Sequence, residues 1–152
     1  ESIDYVKYFH KCGADIVSVI FGEKFYNEKQ VFNHFESIHN QTKPFLLLHQ
    51  QLIENGLSGK KPNVYYSINL LNKIMRLKKF IAMKEDAKND LYTKKICNKI
   101  SGKAIIITSG GGKKQWIKAS KFGCQSWLSG ISNLNPKIAF DFYKNYKKKK
   151  CE

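Results

Sequence analysis

Continuous apolar runs alternate with amphipathic stretches along this chain, and no hairpin signal separates them. Five runs read as buried strands: Ile16 to Phe21, Phe45 to Leu48, Phe80 to Lys84, Ala104 to Thr108 and Ser126 to Ser129. Aliphatic and β-branched residues without polar alternation are the pattern of strands covered on both faces. The intervening segments carry apolar residues at helical spacing. Ile3, Val6 and Phe9 precede Gly13, which can supply a left-handed cap. Asn27 is placed as an N-cap with Gln30 in the capping-box position, ahead of Val31, Phe32, Phe35 and Ile38. Ser67 caps a segment with Ile68, Leu71, Ile74 and Met75. Further helices run from Asp90 to Ile100, through Trp116, Ile117 and Phe122 to Gly123, and from Pro136 through Ile138, Phe142 and Tyr146. A longer connection, Gln50 to Tyr66, is punctuated by Gly56, Gly59 and Pro62. Strand–helix alternation of this kind implies a parallel sheet covered by helices. A doubly wound sheet and a (β/α)8 barrel both fit. Five strands cannot close an eight-stranded barrel, so the barrel reading needs further strands upstream.

Composition narrows the class. A hydrophobic fraction of 42% with 13% aromatics is that of a folded globule with one core. No apolar run approaches a membrane span, Glu1-Ser2-Ile3-Asp4 is not a signal peptide, and the opening inside a helix without methionine reads as a fragment. Cys12, Cys97, Cys124 and Cys151 show no C-x-x-C spacing, so no zinc or redox motif is predicted, and free thiols in a reducing cytoplasm are expected. The formal charge of +15 invites a nucleic-acid partner. Against it, Arg76 is the only arginine, and the lysines are spread through the helices except in the tail from Lys147 to Lys150. Arginine supplies the bidentate contacts that read bases, so a solvated basic surface is the better reading.

Both parallel architectures place function beyond the carboxyl ends of the strands. Those ends are Gly22 and Glu23, His49 and Gln50, Lys84 to Asp86, Ser109 to Gly112, and Ser129 to Ser132. Lys84 shares parity with Ala82, whereas Ile81 and Met83 point the other way. Such a lysine either reaches water, pairs with Glu85 or Asp86, or serves as a nucleophile once desolvation lowers its pKa from about 10.4. His49 can act as acid or base near neutral pH, or be a hydrogen-bonded histidine at a loop start. Ser109-Gly110-Gly111-Gly112 offers bare backbone N–H groups ahead of a helix, suited to a carboxylate or phosphate. It has neither the G-x-G-x-x-G spacing nor a Walker A pattern, despite Lys113.

Three pieces together resemble the dihydrodipicolinate synthase/N-acetylneuraminate lyase family of Schiff-base aldolases. They are Ile81-Ala82-Met83-Lys84-Glu85, Ile107-Thr108-Ser109-Gly110, and Gly123 through Leu128-Ser129-Gly130-Ile131-Ser132-Asn133 to Pro136. The helix ending Cys12-Gly13-Ala14-Asp15 is similar to the one before the family's strand four. The resemblance implies a (β/α)8 TIM barrel of which only about strands four to eight are present. Residues 1–146 would form this C-terminal barrel part, and 147–152 a basic tail. It further implies Lys84 as the imine-forming lysine, Ser109 and Gly110 as the turn after strand seven, and Ser129, Gly130 and Ile131 as the substrate-side segment of strand eight. The expected partner is a small carbonyl substrate, with a homo-oligomer when full length, no cofactor, no metal and no membrane. The sequence departs from the family pattern at Leu48, which stands where the family has a catalytic tyrosine; His49 follows it and is the expected replacement. Phe21-Gly22-Glu23-Lys24 and Gly111-Gly112 likewise replace family features, so Glu23 and Asp86 are further candidates for proton transfer. The leading expectation is a class I aldolase-type lyase or synthase acting on a 2-oxo acid or related carbonyl compound through Lys84. Behind it stands a family-fold protein that binds a carbonyl or acidic ligand without turnover, and last a basic nucleic-acid-binding module.

Overall fold

The structure is a computed structural model that describes residues 1–21, 27–51, 66–87, 89–100, 102–108 and 112–148. Helices α1 (Ser2–Lys11), α2 (Glu28–Gln41), α3 (Ile68–Arg76), α4 (Asp90–Lys99), α5 (Gly112–Ala119) and α6 (Pro136–Lys148) alternate with strands. The strands are β1 (Ile16–Val19), β2 (Phe45–Gln51), β3 (Phe80–Asp86), β4 (Ala104–Thr108) and β5 (Ser126–Leu128). Local chemistry sets several boundaries. The Asn27 side chain accepts from the Gln30 N–H and starts α2, and the Ser67 hydroxyl accepts from the Leu70 N–H and starts α3. Gly123 takes a left-handed φ of 102° and ends the 3-10 turn Ser120–Phe122 that follows α5.

Every strand pair is parallel and the order is β1-β2-β3-β4-β5. A doubly wound sheet reverses direction midway, whereas here each strand lies beside the one before it. Right-handed crossovers then bring every connecting helix to the same face. This is the winding of a (β/α)8 barrel, and it resolves the two architectures in the barrel's favour.

Register divides the side chains into two layers. Val17, Leu46 and Phe80 form one row, and Val19, Leu48, Met83 and Ile105 the next; all seven are buried with Phe35, Ile38, Leu71 and Ile74 of the helices. The opposite, concave face carries Ser18, Leu47, Ala82 and Ala104 in one row, then His49, Lys84, Ile106 and Ser126 in the next. An irregularity sits between the Leu46–Phe80 and Leu47–Ala82 pairs. It lets Phe80 and Ala82, two residues apart, face opposite layers.

Several boundaries differ from the sequence reading. The first strand stops at Val19 rather than Phe21, and the second runs on to Gln51 rather than ending near His49. Phe9 is exposed although it shares helical spacing with buried Val6, and Ile138 is exposed on α6. Both lie on the outermost helices, which have a neighbouring helix on one side only among the described residues. Helix α6 also continues to Lys148, two residues into the segment read as a tail. Cys12 and Cys97 are free thiols, the buried Cys124 thiol donates to the Ile105 and Ser126 carbonyls, and Cys151 lies outside the described residues.

Candidate active site

All five strands are parallel, so their carboxyl ends share one rim. At its centre is β3, flanked on both sides. Lys84 lies on the concave face there, half-buried, with Ala82 beneath it on the same face. Its ammonium has no hydrogen-bond or ion-pair partner among the described residues. The pairing of Lys84 with Glu85 that the sequence left open does not occur. Glu85 points to the helix layer and is fully buried, its carboxylate accepting from the Thr93 hydroxyl at 2.8 Å and the Ala87 N–H at 2.7 Å. Burial raises its pKa against the opposing pull of those two bonds.

His49 is the register partner of Lys84 on the neighbouring strand, so the two side chains project side by side. Backbones of adjacent strands lie roughly 4.8 Å apart, which sets the scale of their separation. Leu48, by contrast, is fully buried in the helix-facing layer. Burial and the Lys84 charge together lower the His49 pKa from 6.5 to about 4. The imidazole is therefore neutral at neutral pH, and its 4.0 Å approach to the Asp86 carboxylate is not an ion pair there. That distance is also too long for a hydrogen bond. Asp86 follows Lys84 by two residues and occupies the same face. The sequence carried this signal in the alternation of Lys84, Glu85 and Asp86, which sends the outer two to one side and the middle one to the other.

Ser129, Gly130 and Ile131 lie on the same rim. Ser129 is extended and precedes the 3-10 turn Gly130–Asn133, directly after β5. They stand two strands from Lys84, roughly 10 Å across the sheet by the usual spacing. Ser109, Gly110 and Glu23 lie outside the described residues; β4 ends at Thr108, on the Lys84 rim. No group of three or more potential metal ligands occurs among the described residues, and no described helix is long and apolar enough to cross a membrane.

The arrangement juxtaposes a lysine with no ion-pair partner among the described residues, a neutral histidine and a carboxylate on one concave face. A neutral imidazole beside an amine can accept and return a proton, and a primary amine can add to a carbonyl carbon.

No protein-family model and no curated protein matches this sequence. Solved structures do resemble it. A dihydrodipicolinate synthase family protein from Coccidioides immitis superposes with a TM-score of 0.78 at 12% identity, over 97% of this chain and 45% of its own. N-acetylneuraminate lyase from Fusobacterium nucleatum gives 0.73 at 20% identity, over 97% of this chain and 49% of that one. CdNal from Clostridium difficile, solved with mannosamine, gives 0.75 at 17% identity, over 97% and 49%. The chain thus spans about half the length of these proteins and has the fold of the corresponding part of their barrel.

Proposed function

We propose that this chain is the strand-four-to-eight part of a class I aldolase-type lyase or synthase, acting on a 2-oxo acid or related carbonyl compound through a Schiff base on Lys84. The observation that carries the reading is the setting of Lys84. It sits at the carboxyl end of the central strand, on the concave face, beside a neutral histidine and without a carboxylate partner among the described residues. The fold shared with dihydrodipicolinate synthases and N-acetylneuraminate lyases adds support from an independent direction.

In the proposed chemistry the Lys84 ammonium gives a proton to water and the resulting amine adds to the carbonyl carbon. A C–N bond forms and the carbonyl π pair moves to oxygen. A proton passes from nitrogen to that oxygen, and loss of water then leaves the imine. Once protonated, the imine withdraws electrons from the adjacent carbon, so a carbanion there is stabilised by the protein's own lysine. His49 is the proton carrier: it is neutral in the resting state and lies in register with Lys84. Ser129 to Ile131, on the same rim two strands away, would face the substrate's distal end.

The test is borohydride reduction after incubation with pyruvate and a panel of 2-oxo acids and aldehydes, followed by peptide mapping. A reduced adduct on Lys84, absent from a folded Lys84→Arg variant, is the expected result, because a guanidinium stays protonated and does not attack. A folded protein that gives no adduct at Lys84 across the panel would replace this reading with carbonyl or anion binding without turnover. Adducts scattered over the surface lysines would count against it equally.

A further inference from the structure

We propose that Asp86 is a positioning residue for His49: its carboxylate selects the Nε2–H tautomer, so that Nδ1 is the nitrogen offered to the reacting atoms beside Lys84. The inference rests on the lysine-centred reading above and assigns a residue it left without a role. Its ground is geometric. His49 opposes Lys84, and Gln51 opposes Asp86, so His49 lies diagonally beside Asp86 on one face. The Asp86 Oδ2 atom is 4.0 Å from His49 Nε2, with the side chains 25% and 17% exposed. Of the two imidazole nitrogens, Nε2 alone is both buried and without a hydrogen-bond partner among the described residues.

A neutral imidazole has one N–H donor and one lone-pair acceptor. If Nε2 were the acceptor, its lone pair would face a carboxylate in an enclosed setting, with repulsion and no compensating bond. If Nε2 carries the proton, the same carboxylate attracts it, and a shift of about 1 Å makes a hydrogen bond. The second state is favoured on both counts. Nδ1 is then fixed as the base. When an O–H of substrate or water gives up its proton, the O–H pair stays on oxygen and the Nδ1 lone pair forms the new N–H bond. The imidazolium so formed keeps its Nε2–H toward Asp86, which offsets its charge.

Among the described residues, the charged groups that face His49 are Lys84 and Asp86, both on β3. From β1, residues 16–21 contribute no titratable side chain, and the neighbouring concave positions Leu47, Ala82 and Ile106 contribute none either. Burial first and the Lys84 charge second hold the imidazole neutral, and the Asp86 carboxylate lies against its Nε2.

Long-range proton–nitrogen NMR on nitrogen-labelled protein at pH 7 reads the tautomer directly. The expected result is a protonated Nε2 and a non-protonated Nδ1 at His49. In Asp86→Asn the preference should collapse toward a mixture, and the His49 midpoint should fall by about one pH unit as the carboxylate is lost. Asp86→Glu should restore much of both. Borohydride trapping with pyruvate should slow on the order of 10-fold in Asp86→Asn. An Nδ1–H tautomer in the wild type overturns the proposal without any variant, so a misfolded Asp86→Asn does not shelter it. An unchanged tautomer and midpoint in a folded Asp86→Asn overturns it too. If Lys84 adducts form while the tautomer ignores Asp86, the positioning role falls and the imine chemistry stands. If the tautomer depends on Asp86 but no adduct forms, the positioning stands and the imine chemistry falls.

Discussion

His49 would couple the proposed proton transfer to stability through a single ionisation. Its folded pKa of about 4 lies below the unfolded value of 6.5, because burial and the Lys84 charge both penalise the imidazolium. Between those two values the unfolded chain binds the proton and the native site resists it. Stability from this group is thus complete above pH 6.5 and is lost progressively as the pH falls toward 4. A difference of this size corresponds to roughly 3 kcal/mol across the window. Urea unfolding at pH 7 and pH 4.5, for the wild type and His49→Gln, checks it. The wild type should lose roughly 2–3 kcal/mol more than the variant between those conditions. Equal losses would mean that the ring is hydrated and takes up its proton freely. Glu85 works in the opposite sense: with its pKa raised, ionisation weakens the fold as the pH rises through the carboxylate range. The carboxylate and imidazole thus act on stability from opposite faces of the sheet and with opposite pH slopes.

At the scale of elements, most of what positions the site was legible because it is local. Asn27 and Ser67 are side-chain caps that depend on the next three residues, and both bonds form as the pattern predicts. The shared parity of Ala82 and Lys84, against Met83, likewise told which strand residues share a face. The irregularity at the start of β3 was not legible, since it arises between strands 34 residues apart in numbering, at Leu46 and Phe80, and leaves no mark on either run alone. The same holds for Lys79, which had no role in the sequence reading. Its ammonium donates to the His39 and Thr42 carbonyls at the end of α2, while its own carbonyl accepts from the Leu46 N–H at 2.8 Å. The last carbonyls of a helix lack intrahelical donors, and a cation there also complements the dipole. Lys79 therefore pins α2 to the entry of the strand that carries Lys84. Lys79→Met keeps the apolar stem and removes the donor, and it should cost about 1–2 kcal/mol of unfolding free energy. A loss below about 0.3 kcal/mol in denaturant titration would show that water replaces the ammonium at those carbonyls without penalty.

For the molecule as a whole, the same winding that gathers the site on one rim leaves much of the concave face uncovered. Ile16 and Phe45 are each 53% exposed and Leu128 is 45% exposed on that face, and β1 and β5 each pair on one side only among the described residues. In a closed eight-stranded barrel such residues fill the interior and no edge remains. Part of the candidate site was beyond any sequence argument for a related reason: whatever faces Lys84 across a closed barrel is not in these strands. An open edge beside an apolar face favours self-association, whereas a net charge of +15 opposes it. Ionic strength decides between them. Screening shortens from about 30 Å at 0.01 M salt to about 10 Å at 0.1 M, so the repulsion fades while apolar burial does not. Sedimentation of this chain should show association growing with salt, the reverse of a basic protein leaving a nucleic acid. Phe45→Lys adds charge at an exposed concave position and should reduce the association while leaving stability within about 0.5 kcal/mol. Monomers at every salt concentration would show that the concave face and both edges are tolerated in water. Association that weakens as salt rises would place the contact on the charged helical surface instead.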